Sequence, residues 1–266
     1  MTISRFERPL SLCPFGYLLV SRGKDPWELL YMVGNSWIPA IWLIIRLGEL
    51  DPVHALLTFI LGYAAFISCY ELGYLTNDSW DAARSAGGRR RIGFAVTPAY
   101  VLLFVAIRIV VWAAVGGYTG WITQIPWLLG YGALVAAFTL HNVLQSPAIR
   151  IASFMQLSIL RFLLPILGAL TAGTYLIAVA VAFLFYTIFR LLSYLDSKDL
   201  LSMEERRTGP FKLAVVAVQA PIAIVLSVLA GSPVIAEMFL YYLVLYALIS
   251  LRERTSGQVP TSLGMR

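Results

Sequence analysis

Asp78 and Asp81 stand three residues apart at the close of a long apolar run, with Asn77 in front of them and Arg84, Arg89, Arg90 and Arg91 behind. On a helix that continues past a membrane edge these two carboxylates share a face, and Tyr74 and Glu71 lie one and two turns back on the same stripe. Paired carboxylates at that spacing suit a hard cation such as Mg²⁺, which takes oxygen ligands and usually shares them with a phosphate. A solvated helix end would also hold Asp and Asn. A second cluster weighs against that plainer reading: Asp196 and Asp199 repeat the spacing, with Ser193 a turn earlier, Arg190 and Tyr194 on an adjacent face, and Lys198, Glu204, Glu205, Arg206 and Arg207 close by.

Four carboxylates turned to one cavity repel one another unless cations hold them. Two or more Mg²⁺ ions bridging to a diphosphate would neutralise them and keep the diphosphate as a leaving group. Basic side chains in the same segments (Arg84, Arg89 to Arg91, Lys198, Arg206, Arg207) would take the remaining phosphate oxygens. The expected chemistry is transfer from or to a diphosphate whose other half, or whose acceptor, is lipid.

The elements that must position these residues are membrane helices. The chain of 266 residues is 59% hydrophobic and 13% charged, with a mean hydropathy of +0.79. Apolar runs of about 20 residues, the length that crosses the hydrocarbon core, recur from end to end. The spacing predicts an all-α bundle of eight spans near 28–47, 54–75, 96–116, 124–144, 151–172, 174–195, 213–230 and 234–251, punctuated at Asp51-Pro52, Gly116-Gly117, Ser146-Pro147, Gly173, Gly209-Pro210 and Ser232-Pro233. This gives one integral-membrane domain over 1–266: a first four-span half at 27–144, a second at 145–251, an N-terminal segment 1–26 and a tail 252–266. No cleavable signal is read in the N-terminal segment, where Leu10–Val20 is too short to cross and reads as an interfacial helix. Cys13 and Cys69 offer neither metal-ligand spacing nor a disulfide framework.

Charge orients the bundle. Lys and Arg gather in the N-terminal segment (Arg5, Arg8, Arg22, Lys24), after span two, after span four (Arg150), after span six (Lys198, Arg206, Arg207, Lys212) and in the tail; the opposite loops hold only Arg46. The positive-inside rule then puts both termini and both acidic clusters in the cytoplasm, so the net charge of +6 reflects topology rather than a nucleic-acid partner. The expected location is a bacterial inner or plasma membrane. Arg108, Arg161 and Arg190 fall inside spans, where each needs a partner or a polar cavity. A structural ion pair is one reading for Arg108; Arg161 and Arg190 suit a cavity that carries phosphate.

With these residues in view, the chain resembles the UbiA superfamily of intramembrane prenyltransferases. Asn77-Asp78-Ser79-Trp80-Asp81 matches the NDxxD block of that family's first motif, Asp196-Ser197-Lys198-Asp199 is similar to its second, and Ser146–Pro165 is similar to its segment after span four. The resemblance implies a helical bundle around a lipid-open central cavity, with the two motifs binding Mg²⁺ and a diphosphate at the cytoplasmic mouth. Asp78, Asp81, Asp196 and Asp199 would then be catalytic metal ligands. Asn77, Arg84, Arg91, Arg150, Lys198, Arg161, Tyr194 and Glu71 would touch substrate, and aromatic faces such as those of Tyr74, Tyr186 and Tyr194 would shield a carbocation. The chain departs from the family in three respects: Arg84 stands where a further carboxylate is usual, Gly87-Gly88 precedes the arginines, and eight spans are read where nine are common.

The leading expectation is prenyl transfer from an isoprenoid diphosphate to an acceptor in the cavity. Phosphoribosyl transfer from phosphoribosyl diphosphate to polyprenyl phosphate is the alternative that an arginine-rich loop favours, because two phosphorylated substrates need more cations. Terpene cyclisation would need no acceptor. A membrane transporter belongs to another class and would carry its acids near mid-membrane rather than at one face. His141 reads as a solvated histidine, and Glu71 as a partner for Arg161 or Arg190.

Overall fold

The computed structural model describes residues 6–21, 26–81, 92–144 and 146–256, and among them it is helical without a strand. Proline and short polar caps start most of the helices. Asp51 accepts hydrogen bonds from the backbone N–H groups of Val53 (3.0 Å) and His54 (3.2 Å) ahead of Pro52. Thr97 and Thr208 do the same for Tyr100 and Phe211, ahead of Pro98 and Pro210. Such side chains satisfy amide groups that the helix itself leaves open, while proline at the first turn loses nothing.

The chain begins with two short helices, α1 (Glu7–Leu12) and α2 (Gly16–Ser21). α3 (Pro26–Met32) runs through a π-helical turn, Val33–Trp37, into α4 (Ile38–Leu47). α5 (Pro52–Thr76) follows and ends in a second π-helical turn, Asn77–Asp81. Next come α6 (Pro98–Thr119), α7 (Ile125–Val143) and α8 (Pro147–Leu163). α9 (Tyr175–Val181) passes through a third π-helical turn, Ala182–Thr187, into α10 (Ile188–Ser197). α11 (Gly209–Val218), α12 (Ala220–Leu229) and α13 (Val234–Ser256) complete the chain.

Five stretches are long and apolar enough to cross a membrane: Leu29–Leu47, Pro52–Ser79, Pro98–Thr119, Ala172–Ser197 and Val234–Thr255. The expected span at 213–230 is instead a pair of helices, α11 and α12, bent by 43° at Gln219, which counts as a sixth if it is one broken crossing. The expected spans at 124–144 and 151–172 do form helices, α7 and α8, but neither is among the stretches that satisfy both length and hydropathy. α8 stops at Leu163 because Pro165 has no N–H to continue it; the chain then turns through short 3₁₀ segments to α9. What stands among the described residues is a helical bundle in which five stretches, or six if the bent pair is one span, are long and apolar enough to cross a membrane. Leu102, Val110, Leu129, Val135, Leu176 and Val228 point outward as exposed apolar surface, the side that hydrocarbon would cover.

Two large apolar cores fill the bundle, beside a smaller third that includes Tyr17, Leu75, Tyr100 and Phe104. One joins α4 to α9, α10 and α13 through Leu43, Ile44, Val181, Phe185, Tyr242 and Tyr246. The other joins α5 to α7 and α8 through Phe66, Tyr70, Trp127, Leu134 and Leu157. They meet where Gly62 of α5 lies against the Pro165 carbonyl, at a separation no Cβ would permit. The N-terminal apolar run is two helices rather than one, and it is packed into the protein: Ser11, Tyr17 and Leu18 are buried, with Tyr17 against Phe104 of α6.

Candidate active site at one end of the bundle

Contacts at the helix ends fix which of them lie together. Arg252, in the last turns of α13, lies over the Trp27 ring at the start of α3, 4.2 Å from its centre. The Gly209 amide that opens α11 donates to Glu253 Oε2 at 2.7 Å. At the other end, Arg46 of α4 pairs with Glu237 of α13 at 2.8 Å. α5 leaves that second end and finishes at the first, where Asn77–Asp81 sits. Arg206, two residues ahead of the Thr208 cap of α11, is ion-paired with Asp196. Both acidic segments therefore occupy one end of the bundle.

In the first segment, Asp78 is 5% exposed and accepts a hydrogen bond from Tyr17 Oη at 2.9 Å. Asn77 beside it has a buried Oδ1 with no hydrogen-bond partner among the described residues. The wide turn that carries both is a feature that concentrates at functional sites, because it re-aims side chains that a regular helix would keep in register. The Asp81 side chain, Arg84 and Arg91 lie outside the described residues.

The second segment differs from its sequence reading. Asp196 is on α10, but Asp199 lies past the helix end, exposed and with a left-handed φ of 55°. Aspartate tolerates that conformation because its short polar side chain bonds locally. The two carboxylates thus do not form one helical stripe. Asp196 accepts from the guanidinium of Arg206 and from the Met203 amide at 3.3 Å. Among the described residues, no three His, Cys, Asp or Glu side chains group as a metal site.

Around these acids stand aromatic and basic groups. Tyr194 is buried, stacks on Phe154 with ring centres 4.2 Å apart, and has Lys198 Nζ 6.0 Å above its ring. Its phenol oxygen is buried without a partner. Arg150 opens α8 and donates to the Leu144 carbonyl at the end of α7. His141 is half-buried and bonded to Ser153 Oγ at 3.0 Å, not simply solvated.

Glu71 does not pair with Arg161 or Arg190. It is fully buried against Arg108, Oε2 to Nη2 at 2.6 Å, and its other oxygen accepts from the Leu18 amide at 2.8 Å. Arg108 in turn donates to the carbonyls of Leu12, Ser11 (2.9 Å) and Cys13 (3.2 Å). The pair clamps the α1–α2 hairpin onto the bundle, which is how Tyr17 comes to rest on Asp78. Arg161 sits deeper, on α8, donating to Tyr74 Oη at 3.0 Å. Tyr17, Tyr63 and Tyr70 are the neighbours that sequence reasoning missed. The stripe Phe59, Tyr63, Phe66, Tyr70, Tyr74 was visible as helical spacing; Tyr17, which meets Asp78 across the fold, left no signal. Compared with family models, with curated proteins and with solved structures, the chain matches none.

Proposed function

We propose that the chain is a Mg²⁺-dependent intramembrane transferase of UbiA type, which draws a prenyl group from an isoprenoid diphosphate and passes it to an acceptor held between the helices. The observation that carries this reading is the buried, unpartnered Oδ1 of Asn77 beside the buried carboxylate of Asp78, on a π-helical turn that ends an apolar span. Orphaned acceptors of this kind are rare and want a cation or a donor. Asn77, Asp78 and Asp81 would hold Mg²⁺ with oxygen ligands, and Asp196 and Asp199 would hold it from the facing segment. When bound, the ion neutralises diphosphate charge and makes it a better leaving group.

The chain's own residues then do the following. Asp196, which is paired with Arg206, would be the group on this segment that holds the ion, and Arg206 would then be available to a phosphate oxygen. Lys198 and Arg150 add positive charge at the same rim. The stacked faces of Tyr194 and Phe154 offer π density to a developing allylic cation and keep water from it. Phosphoribosyl transfer to polyprenyl phosphate shares these elements and is favoured by the basic run Arg84 to Arg91.

The test is mass spectrometry of products from purified protein in lipid with Mg²⁺. One reaction receives labelled geranylgeranyl diphosphate, and a parallel one receives labelled phosphoribosyl diphosphate with polyprenyl phosphate. A prenylated or cyclised product supports isoprenoid chemistry, and a phosphoribosyl lipid moves the assignment to the second reaction. Neither label moving, with Mg²⁺ present and the protein folded, removes the transferase reading.

A further inference from the structure

Arg161 is a half-buried cation that the proposed Mg²⁺ chemistry does not use. It lies near the end of α8, drawn onto α5 by the backbone contact of Gly62 with Pro165. Its guanidinium donates to Tyr74 Oη at 3.0 Å and to Met32 Sδ at 3.8 Å, and sits 5.4 Å from the centre of the Tyr70 ring. Tyr63 and Tyr186 are its other electrostatic neighbours. All of these partners are neutral. Among the described residues no carboxylate is ion-paired with Arg161, whereas Arg108 in the same bundle is answered by Glu71.

A guanidinium stays charged in any protein and offers five donors in a planar fork. Two described acceptors leave that fork unfilled. Charge without a counter-anion is costly at membrane depth, so intramembrane arginines face a partner or a polar space. Arg161, Tyr63 and Tyr74 each keep some accessible surface, so a ligand can reach the guanidinium and the two phenols. A second guanidinium is held by the same helix, through Ser158 one turn from Arg161. Arg190 of α10 is 9% exposed, donates to Ser158 Oγ at 3.3 Å, and lies 5.5 Å from the Tyr186 ring centre and 5.6 Å from that of Phe154. Ser158 and Arg161 are one turn apart on α8, and both arginines act on Tyr70.

We propose that Arg161, with Arg190 beside it, forms a binding site for the oxyanion head, carboxylate or phosphate, of an amphiphile that enters from the bilayer. Its apolar part lies against Tyr63 and Tyr74 of α5, the phenols beside Arg161 that keep accessible surface. A planar fork suits either oxyanion, and phenol rings accept a flat or branched apolar body without a charge of their own. The site needs neither Mg²⁺ nor the aspartates, and it stands whether or not the chain transfers prenyl groups.

The experiment titrates the purified full chain, in neutral detergent with EDTA and no diphosphate, against oleate, farnesyl monophosphate and farnesol, reading saturable binding and the shift in thermal unfolding. At least one anionic probe binds about tenfold or more tightly than farnesol, the ratio that a charge-assisted fork contributes. Oleate alone identifies a carboxylate ligand, farnesyl monophosphate alone a phosphate, and both together a general oxyanion site. Arg161→Gln loses about tenfold for the anionic probe and nothing for farnesol. Farnesol binding as tightly as both anions overturns the proposal, as does Arg161→Gln binding the anion unchanged. The comparison of anion with alcohol uses the unaltered chain, so it decides the matter even where the variant fails to fold.

Discussion

A hydrogen bond from Tyr17 to Asp78 means that the first acidic motif does not work alone. The phenol occupies one lone pair of Oδ2 at 2.9 Å and so fixes the rotamer in which the carboxylate is presented. Hydrogen bonds that orient a metal ligand typically matter by about 10- to 100-fold in metal affinity. Tyr17→Phe is therefore expected to raise the Mg²⁺ concentration for half-maximal product formation by about tenfold, with a smaller change in the rate at saturating Mg²⁺. Asp78→Asn abolishes product at any Mg²⁺ concentration. An unchanged Mg²⁺ requirement in Tyr17→Phe would show that the contact is packing only. This part of the site could not be read from the sequence. Asp78 announced itself by type and by its place at the end of an apolar run, but its partner is 61 residues away in a segment with no pattern of its own. Asp199 was misread for a local reason: α10 ends at Ser197, so a three-residue spacing that would align carboxylates on a helix has no such meaning there.

At the scale of elements, the Glu71–Arg108 pair is what attaches α1 and α2 to the bundle. Both side chains are fully buried, and each also satisfies backbone groups of the hairpin. Removing one partner strands the other charge, so Glu71→Gln or Arg108→Met should destabilise by about 3–5 kcal/mol. The double variant Glu71→Leu with Arg108→Met should recover much of that loss, since a well-packed apolar pair can replace a buried ion pair. Thermal unfolding in detergent, analysed as a double-mutant cycle, measures the coupling; strictly additive losses would mean the two charges do not support each other. The N-cap of α5 gives a separate, pH-dependent expectation. The Asp51 carboxyl is held below its usual value of 3.8, chiefly by the His54 side chain and then by the His54 and Val53 amides. Its contribution to the cap is full above that unfolded value of 3.8 and disappears as pH falls through the lower folded value. Amide resonances of Val53 and His54 should titrate with a midpoint under 3.8, and a midpoint at or above it would mean the cap is not formed. Helix boundaries like this one were legible because proline and cap residues mark them chemically. The bend of the expected span at 213–230 at Gln219, and the end of α8 ahead of Pro165 inside the expected 151–172, were not, because each turns on one or two residues rather than on the pattern of the whole run.

The whole molecule makes a claim about sidedness that composition alone could only suggest. α3–α4 and α13 lie antiparallel, pinned at one end by Trp27 with Arg252 and at the other by Arg46 with Glu237. The start of the first crossing and the end of the last are therefore on the same face, whatever the number of crossings between. That face also carries Asn77–Asp81, Asp196 and Arg206. The sequence puts most Lys and Arg in segments assigned to that face, while the turn at Gly48–Asp51 belongs to the side where Arg46 is the basic residue. On the positive-inside rule the face richer in Lys and Arg is the one expected in the cytoplasm. In a chain with Cys13 and Cys69 replaced, single cysteines at Arg5 and at Ser262 should resist a membrane-impermeant thiol reagent added outside intact cells. A cysteine at Glu49 should react with it. Labelling of one terminus and not the other would require an odd number of crossings, and that would break the pairing of Trp27 with Arg252 along with the sidedness on which a shared acidic mouth depends. Labelling of both termini from outside would keep the bundle but reverse it. The site would then face away from the cytoplasm, where diphosphate donors and Mg²⁺ are most readily supplied, and the transferase reading would lose its simplest source of substrate.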